Sequence, residues 1–381
     1  MEKLENKNDS ILVLNSGSSS LKFGVYSHGA NDEEPLLSGS AEGIGRANGT
    51  LNILSSDGTQ LAKRENISES QSAALGTLAA EIQKHIRVAP IAVGHRVVHG
   101  GPNLLTHQLI TPRLSEELRA ATHFAPLHIP QALDLIAAAQ TNFPNAAQFA
   151  CFDDAFHQTM PEVASHLSIP QKYFDAGIRR YGFHGLSYES LVHHFGSKLP
   201  ARAIFAHLGN GASLCAVLNG KSIDTTMGLT PTGGIPMGTR SGDLDPGILI
   251  YILRNEKLNA DQFEDLLNHR SGLFALSNGE SDVKALDDRA RAKDPRAIFA
   301  LDAFAIAIRK SIGAYIALLG GVDLLVFTGG IGEHSEYVRN VATRGLESLG
   351  LSTNKIQIVP AQEEQQIARH CRKLLQHANR T

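Results

Sequence analysis

One pattern recurs and constrains the fold more than any other feature of the chain. An apolar run ends in a turn of small residues, and a second apolar run follows. It occurs first as "ILVLNSGSSSLKFGVY" (11–26) and again, roughly half a chain later, as "RAIFAHLGNGASLCAVLNG" (202–220). Apolar runs bounded by Gly, Ser and Asn read as strands entering turns. "SSLKFGV" and "ASLCAVL" match with Ser-Leu in register, which fits a chain of two similar α/β halves. A third run, in "GVDLLVFTGGIGEHSEYVRN" (321–340), enters a Gly-rich turn leading into a helix, whose N-terminus suits an anion. Three strand-to-glycine turns favour a nucleotide cleft, because ligands of α/β sheets gather at strand ends.

The first turn supports two readings. Gly and Ser make ordinary hairpins. Three serines and Lys22 also make a phosphate cradle, in which backbone N–H groups, hydroxyls and a cation converge on an anion. It is not a P-loop: G-x-x-x-x-G-K-[ST] occurs nowhere, and the turn leads into a strand.

Between the repeats the chain alternates. "GIGRANGTLNILSSDG" (43–58) predicts more antiparallel strands, and "QSAALGTLAAEIQKHI" (71–86) sets Leu75, Leu78, Ile82 and Ile86 at helical spacing. "IAVGHRVVHGG" (91–101) reads as a short strand ending in a His/Arg/Gly turn. "IPQALDLIAAAQ" (129–140) starts a helix with Pro130 in its first turn, and "AQFACFDDAFH" (147–157) is a strand ending in acids.

Composition serves mainly to exclude. The 381 residues are enough for two domains, and 42% hydrophobic with 19% charged residues describes a globular soluble chain. A net charge of −3 offers no basic surface for nucleic acid. Cys151, Cys215 and Cys371 are far apart and odd in number, which disfavours a disulfide framework or zinc ribbon and suits a reducing cytosol. The polar "MEKLENKNDS" is no signal peptide. The longest apolar region, 297–319, holds Asp302, Arg309 and Lys310, so it reads as a buried helix and not as a membrane span.

Eight blocks then point to a family. "LVLNSGSSSLKF", "GHRVVHGG", "FAPLHIP", "CFDDAFHQTMP", "RRYGFHGLSYE", "HLGNGASL", "DTTMGLTPTGGIPMGTRSGDLDPG" and "FTGGIGEHS" resemble the acetate kinase family, in the family's order, from about Ile11 to Arg369. One block would be weak; eight in order are specific. The resemblance implies an α/β fold of the actin/hexokinase/Hsp70-like phosphotransferases. That fold has two duplicated ribonuclease H-like domains of the actin-like ATPase type, with an interdomain nucleotide cleft. It implies a first domain over 1–155, joined by 365–381. A second domain, 156–364, would carry the adenosine-side loops and the dimer interface. The implied reaction is reversible in-line transfer of the ATP γ-phosphoryl group to acetate, giving acetyl phosphate and ADP. The implied metal is Mg2+, with Mn2+ the alternative. A cytoplasmic homodimer with no nucleic-acid or membrane partner is expected.

Such chemistry brings anions together, so it needs arginines, a metal and neutral donors. An Arg in a loop is usually solvated, but a planar fork suits a carboxylate or a metaphosphate-like group better than Lys does. By resemblance Arg96 and Arg240 face the acceptor and the transferred phosphoryl. His184 hydrogen-bonds that phosphoryl, with His128 and His207 standing behind it. Asp153 serves the metal and acceptor side, although it or Asp154 could simply cap a following helix. Asn15 and Glu363 stand near Mg2+, with Glu364 the alternative one residue on. Ser18, Ser20 and Lys22 belong to the first phosphate loop. His207, Leu208, Gly209, Asn210 and Gly211 form the second. Asp282, Val283 and Lys284, with Gly330, Ile331, Gly332, Glu333 and His334, take the adenosine side. Here Lys284 and His334 depart from the family's usual Arg and Asn, away from the chemistry. Val98, Leu127, Phe183 and Pro231 line a small apolar acceptor pocket, where Val98 leaves little room beyond a methyl group.

Two rivals remain. One is a kinase for propionate or another short carboxylate, separated by chain-length preference. The other is a non-catalytic actin-like nucleotide-binding protein, which the fold alone permits. Arg96, Asp153, His184 and Arg240 argue against the second, because a scaffold needs no acceptor site.

Overall fold

The computed structural model describes residues 9–17, 20–29, 34–44, 48–65, 70–86, 89–126 and 128–378. The chain divides into two compact units, Met1–Ala155 with Gln362–Thr381, and Phe156–Ala361.

Among the described residues the first unit holds an eight-stranded sheet. Its strands are β1 (Ser10–Ser16), β2 (Ser20–Ser27), β3 (Leu37–Glu42), β4 (Thr50–Ser55), β5 (Gln60–Glu65), β6 (Ala92–Val97), β7 (Gln108–Leu109) and β8 (Ala147–Phe152). The order is β5-β4-β3-β2-β1-β6-β8-β7. The strands β1 to β5 pair antiparallel, as tight turns allow, whereas β6 joins β1, and β8 joins β6, in parallel. One sheet face packs on helices Gln71–His85 and Ile129–Asn142, around Leu12, Phe23, Leu75, Leu78, Ile82 and Leu135. The first of these helices ends at His85, and Ile86 supplies its cap. The helix Glu363–Ala378 also packs against β1, β2, β6 and β8, and it returns the C-terminal segment to this unit.

The second unit repeats the scheme. Its strands are β9 (Arg202–Leu208), β10 (Ala212–Leu218), β11 (Lys221–Thr225), β12 (Leu324–Thr328) and β13 (Ile356–Ile358), in the order β11-β10-β9-β12-β13. Again β9, β10 and β11 pair antiparallel, while β12 joins β9, and β13 joins β12, in parallel. The order β3-β2-β1-β6-β8 of the first unit and β11-β10-β9-β12-β13 of the second are therefore the same topology, so the fold is a duplicated α/β sheet. The run 297–319 lies in the helix Pro295–Leu319, with Asp302 accepting from the Tyr337 hydroxyl at 2.8 Å and Arg309 bound to the Val341 carbonyl. Among the described residues no helix is long and apolar enough to cross a membrane. All three cysteines are buried free thiols.

Candidate active site

In the first unit the candidates collect at the C-terminal ends of the parallel strands, where such sheets bind ligands. Asn15 lies one residue before the end of β1, Arg96 one residue before the end of β6, and Asp153 follows β8. The turn after β1 is closed by the Gly17 N–H on the Ser20 carbonyl at 2.8 Å. Gln71 clamps it, accepting from the Ser16 hydroxyl at 2.7 Å and donating to the Gly17 carbonyl at 2.6 Å. Lys22 is exposed and stands opposite Asn15 in the β1–β2 register. Ser18 and Leu127 lie outside the described residues.

Arg96 is held on several sides. Its Nε and Nη2 donate to Asp153 Oδ2 at 3.0 and 2.5 Å, and its Nη1 to the Ser16 carbonyl at 3.3 Å and Asn15 Oδ1 at 3.4 Å. Asn15 Nδ2 in turn donates to Glu363 Oε2 at 3.0 Å and Glu364 Oε1 at 2.7 Å. Asn15 does not choose between the two glutamates; it binds both. Neither Asp153 nor Asp154 caps a helix: Asp154 Oδ2 accepts from the Gly100 N–H at 3.2 Å and anchors the turn after β6. Val98, one residue past β6, is half-buried.

Three carboxylates thus surround one guanidinium. Burial, then the repulsion of Glu363, push the Asp153 carboxyl up, against the pull of Arg96. Burial and Glu363 likewise raise Glu364, against Lys22 and the Asn15 bond. Asp153 Oδ1 is buried and accepts no hydrogen bond among the described residues. An orphaned buried acceptor costs about 1–3 kcal/mol. The excess of carboxylates, the orphaned oxygen and an all-oxygen donor set fit a hard divalent cation.

In the second unit His184 stands at φ 60°, ahead of the helix Gly185–Phe195. Its Nδ1 lies 2.9 Å from Ser213 Oγ on β10, and that hydroxyl lies 2.5 Å from Tyr188 Oη. His207, near the end of β9, stacks on His184 with centroids 4.3 Å apart, and its Nδ1 is 2.8 Å from Ser187 Oγ. Arg240 Nη1 donates to the Pro231 carbonyl at 3.1 Å. Phe183 is buried and Pro231 half-buried.

The glycines of this unit mark where space is reserved. A Cβ placed on Gly211 would lie 3.2 Å from His184 Nε2 and 3.5 Å from Arg240 Nη1. The Gly209 N–H donates to the Gly211 carbonyl at 3.0 Å, and the Gly238 N–H to the Asn210 carbonyl at 3.3 Å, tying the 207–211 turn to the segment of Arg240. Thr328 on β12 pairs with His207, and Gly329, at φ 78°, comes so close that a Cβ would meet the Leu208 carbonyl at 2.7 Å. A Cβ on Gly330 would meet nothing within 4 Å, so packing does not require that glycine.

On the adenosine side Asp282 caps the helix Val283–Arg291, its Oδ1 accepting from the Ala285 N–H at 2.8 Å; Val283 is buried and Lys284 exposed. The helix Gly329–His334 is tied down by Glu333, which accepts from the Ala361 N–H at 3.0 Å. The Ser335 hydroxyl donates to Asp287 at 2.8 Å and joins the two helical segments. Residues 331, 332 and 334 ride on that helix.

Sequence reasoning passed over Tyr188 and Ser213. Tyr188 had a usable signal, four residues after His184 in the first turn of the helix that His184 precedes. Ser213 had none, because only the sheet brings it across 29 positions to the histidine ring.

The profile of the acetokinase family matches residues 10–373. An acetate kinase of Nitrobacter hamburgensis is 40% identical over 395 residues, covering 96% of each chain. One of Deinococcus radiodurans is 44% identical over 347 residues, covering 89% of this chain and 86% of its own. Among solved structures, an acetate kinase of Porphyromonas gingivalis is 33% identical with a TM-score of 0.85, covering 96% of this chain and all of its own. A propionate kinase of Francisella tularensis is 35% identical with a TM-score of 0.87, covering 95% of this chain and 98% of its own.

Proposed function

We infer the activity from one premise, that this chain belongs to the acetokinase family. It is a kinase that moves a phosphoryl group between ATP and acetate. An acetate oxygen attacks the γ-phosphorus in line, the bond to the ADP oxygen breaks, and acetyl phosphate and ADP leave. The geometry calls for no covalent enzyme intermediate.

The observation that carries this reading is the space at Gly211. Only a glycine leaves that point open, and His184 Nε2 and Arg240 Nη1 both close on it. A neutral donor and a guanidinium converging on a Gly-rich turn suit a transferring phosphoryl group. We assign His184 and Arg240 to that group. Arg96, held by Asp153, is assigned to the acetate carboxylate, and Val98 in the first unit and Phe183 and Pro231 in the second are, by family resemblance, assigned to its methyl. Lys22 and the turn 207–211 serve the ATP phosphates. Residues 282–284 and 330–334 serve the adenosine.

Family membership implies a divalent metal, and we assign it as Mg2+, with Mn2+ the alternative. Asn15 and Glu363 would hold it, with Glu364 and the orphaned Asp153 oxygen beside them. When bound it supplies neutralisation of phosphate charge.

We further assign the two compact units as the family's two domains, and the second as the seat of a homodimer interface. The helix Pro246–Glu256 buries none of its residues, and Ile248, Ile250, Tyr251 and Leu253 stand exposed along it. A cytoplasmic location is supported by the buried free thiols and by ATP as substrate.

The same-class alternative is a propionate kinase, favoured by the likeness to the Francisella tularensis enzyme. A hydroxamate assay for acyl phosphate across acetate, propionate and butyrate decides. Acetate is expected to give the highest kcat/KM; a higher value for propionate reverses the assignment, and no acyl phosphate from any acid overturns the kinase reading.

A further inference from the structure

We propose that Tyr188 and Ser213 are positioning residues that fix the His184 ring and hold its proton on Nε2. The inference rests on the reading that His184 serves the transferred phosphoryl.

The three groups form a buried chain. Tyr188 Oη and Ser213 Oγ are 2.5 Å apart, Ser213 Oγ and His184 Nδ1 are 2.9 Å apart, and Tyr188 and Ser213 have no exposed surface. A serine hydroxyl has one proton, so it can donate to only one of its two neighbours. If it donates to the tyrosine, Nδ1 must carry the imidazole proton and the phenol must send its own elsewhere. If it accepts from the tyrosine, its proton goes to Nδ1. The phenol is the more acidic hydroxyl, hence the better donor and the poorer acceptor, and the short O···O contact suits a phenol donor. The chain then runs from Tyr188 to Ser213 to Nδ1. An imidazole whose Nδ1 accepts carries its proton on Nε2 when neutral.

That nitrogen is the one beside the space at Gly211. A donor there meets the growing charge of a phosphoryl group, whereas the opposite tautomer would turn a lone pair toward it. Two further contacts keep the ring in place. His207 stacks on it, held in turn by Ser187. From the other side, His157 Nε2 donates to the carbonyl of Phe183 at 3.0 Å and pins the peptide that precedes His184. The titratable groups facing the ring include His207, Tyr188 and Arg240. An imidazole whose Nδ1 accepts a hydrogen bond has no proton there, so this chain of hydroxyls selects the neutral Nε2–H tautomer.

The test uses the full chain labelled with nitrogen-15 histidine, with His184→Gln to identify the signal. Long-range proton–nitrogen correlation at neutral pH is expected to show His184 neutral, with Nε2 protonated and Nδ1 bare. Tyr188→Phe, which keeps the ring packing, and Ser213→Ala should each let the Nδ1–H tautomer appear. Both should lower kcat by about ten- to a hundredfold while the KM values for acetate and ATP stay within about threefold. The double variant should be no worse than the poorer single one, because both act through one chain of protons. A wild-type His184 protonated on Nδ1, or Tyr188→Phe and Ser213→Ala with unchanged kcat and tautomer, would overturn the proposal. If His184→Ala keeps wild-type kcat, the role of His184 fails instead, and the tautomer measurement still judges the proton chain.

Discussion

Arg96 and Arg240 carry the same charge but are held differently. Arg96 is locked by two bonds to a buried carboxylate, whereas Arg240 leans on the Pro231 carbonyl. Either Arg→Ala change should lower kcat/KM by orders of magnitude, since each removes a donor proposed to serve developing charge. Arg96→Ala also takes from Asp153 its guanidinium partner and should cost roughly 2–4 kcal/mol in chemical denaturation. An unchanged stability would mean that the Arg96–Asp153 pair does not carry charge in the fold. At Val98 the question is volume. Val98→Ala opens room for about one methylene, worth roughly 0.8 kcal/mol on burial. The propionate-to-acetate ratio of kcat/KM should rise about three- to fourfold, and a flat ratio with lower total activity would make Val98 plain packing.

Strands β6 and β8 carry a polar pair into the sheet. His95 is buried beside Gln148, with Nε2 donating to Oε1 at 2.8 Å, and burial lowers its pKa to about 4 despite that bond. The folded chain therefore keeps His95 neutral where the unfolded chain would protonate it. Below the ordinary value of 6.5 the unfolded state binds the extra proton, so stability is complete above 6.5 and is lost as pH falls towards 4. The loss over that window is up to roughly 3 kcal/mol. Denaturation curves across it should be flatter for His95→Gln than for the native chain; parallel curves would exclude His95 as a source of acid sensitivity. The same strands deliver Arg96, the residue after His95, and Asp153, the residue after β8 ends, so the element that is sensitive to acid also positions two candidate site residues.

Duplication is the organising fact of the whole chain. Each unit lays an antiparallel three-strand ribbon beside parallel strands, and candidate residues lie near the corresponding strand ends, Asn15 and Arg96 in the first and His207 in the second. The helix Pro246–Glu256 buries none of its residues. A second copy of the chain is its proposed cover. Light scattering should return twice the mass of the single chain, and Ile250→Asp combined with Tyr251→Glu should return the single-chain mass. A native monomer at micromolar concentration would remove the helix from that role.

The strand–turn–strand grammar, the helix periodicities and the eight blocks are local, and local chemistry was enough to read them. Alternating apolar residues state a strand wherever it ends up, and a glycine-rich turn states a need for backbone freedom. Arg96, Asp153, His184 and Arg240 were candidates because they stand in blocks that resemble the family's, and their residue types match the charges of the reaction. It could not say that Asn15 would bind both Glu363 and Glu364 across 348 and 349 positions. Nor could it say that Asp153 would keep one oxygen paired and one bare, or that Tyr188 and Ser213 would line up behind His184. Those facts depend on which strands become neighbours. Pairing between distant segments is settled by burial of the sheet faces as a whole, and no window of sequence contains that information.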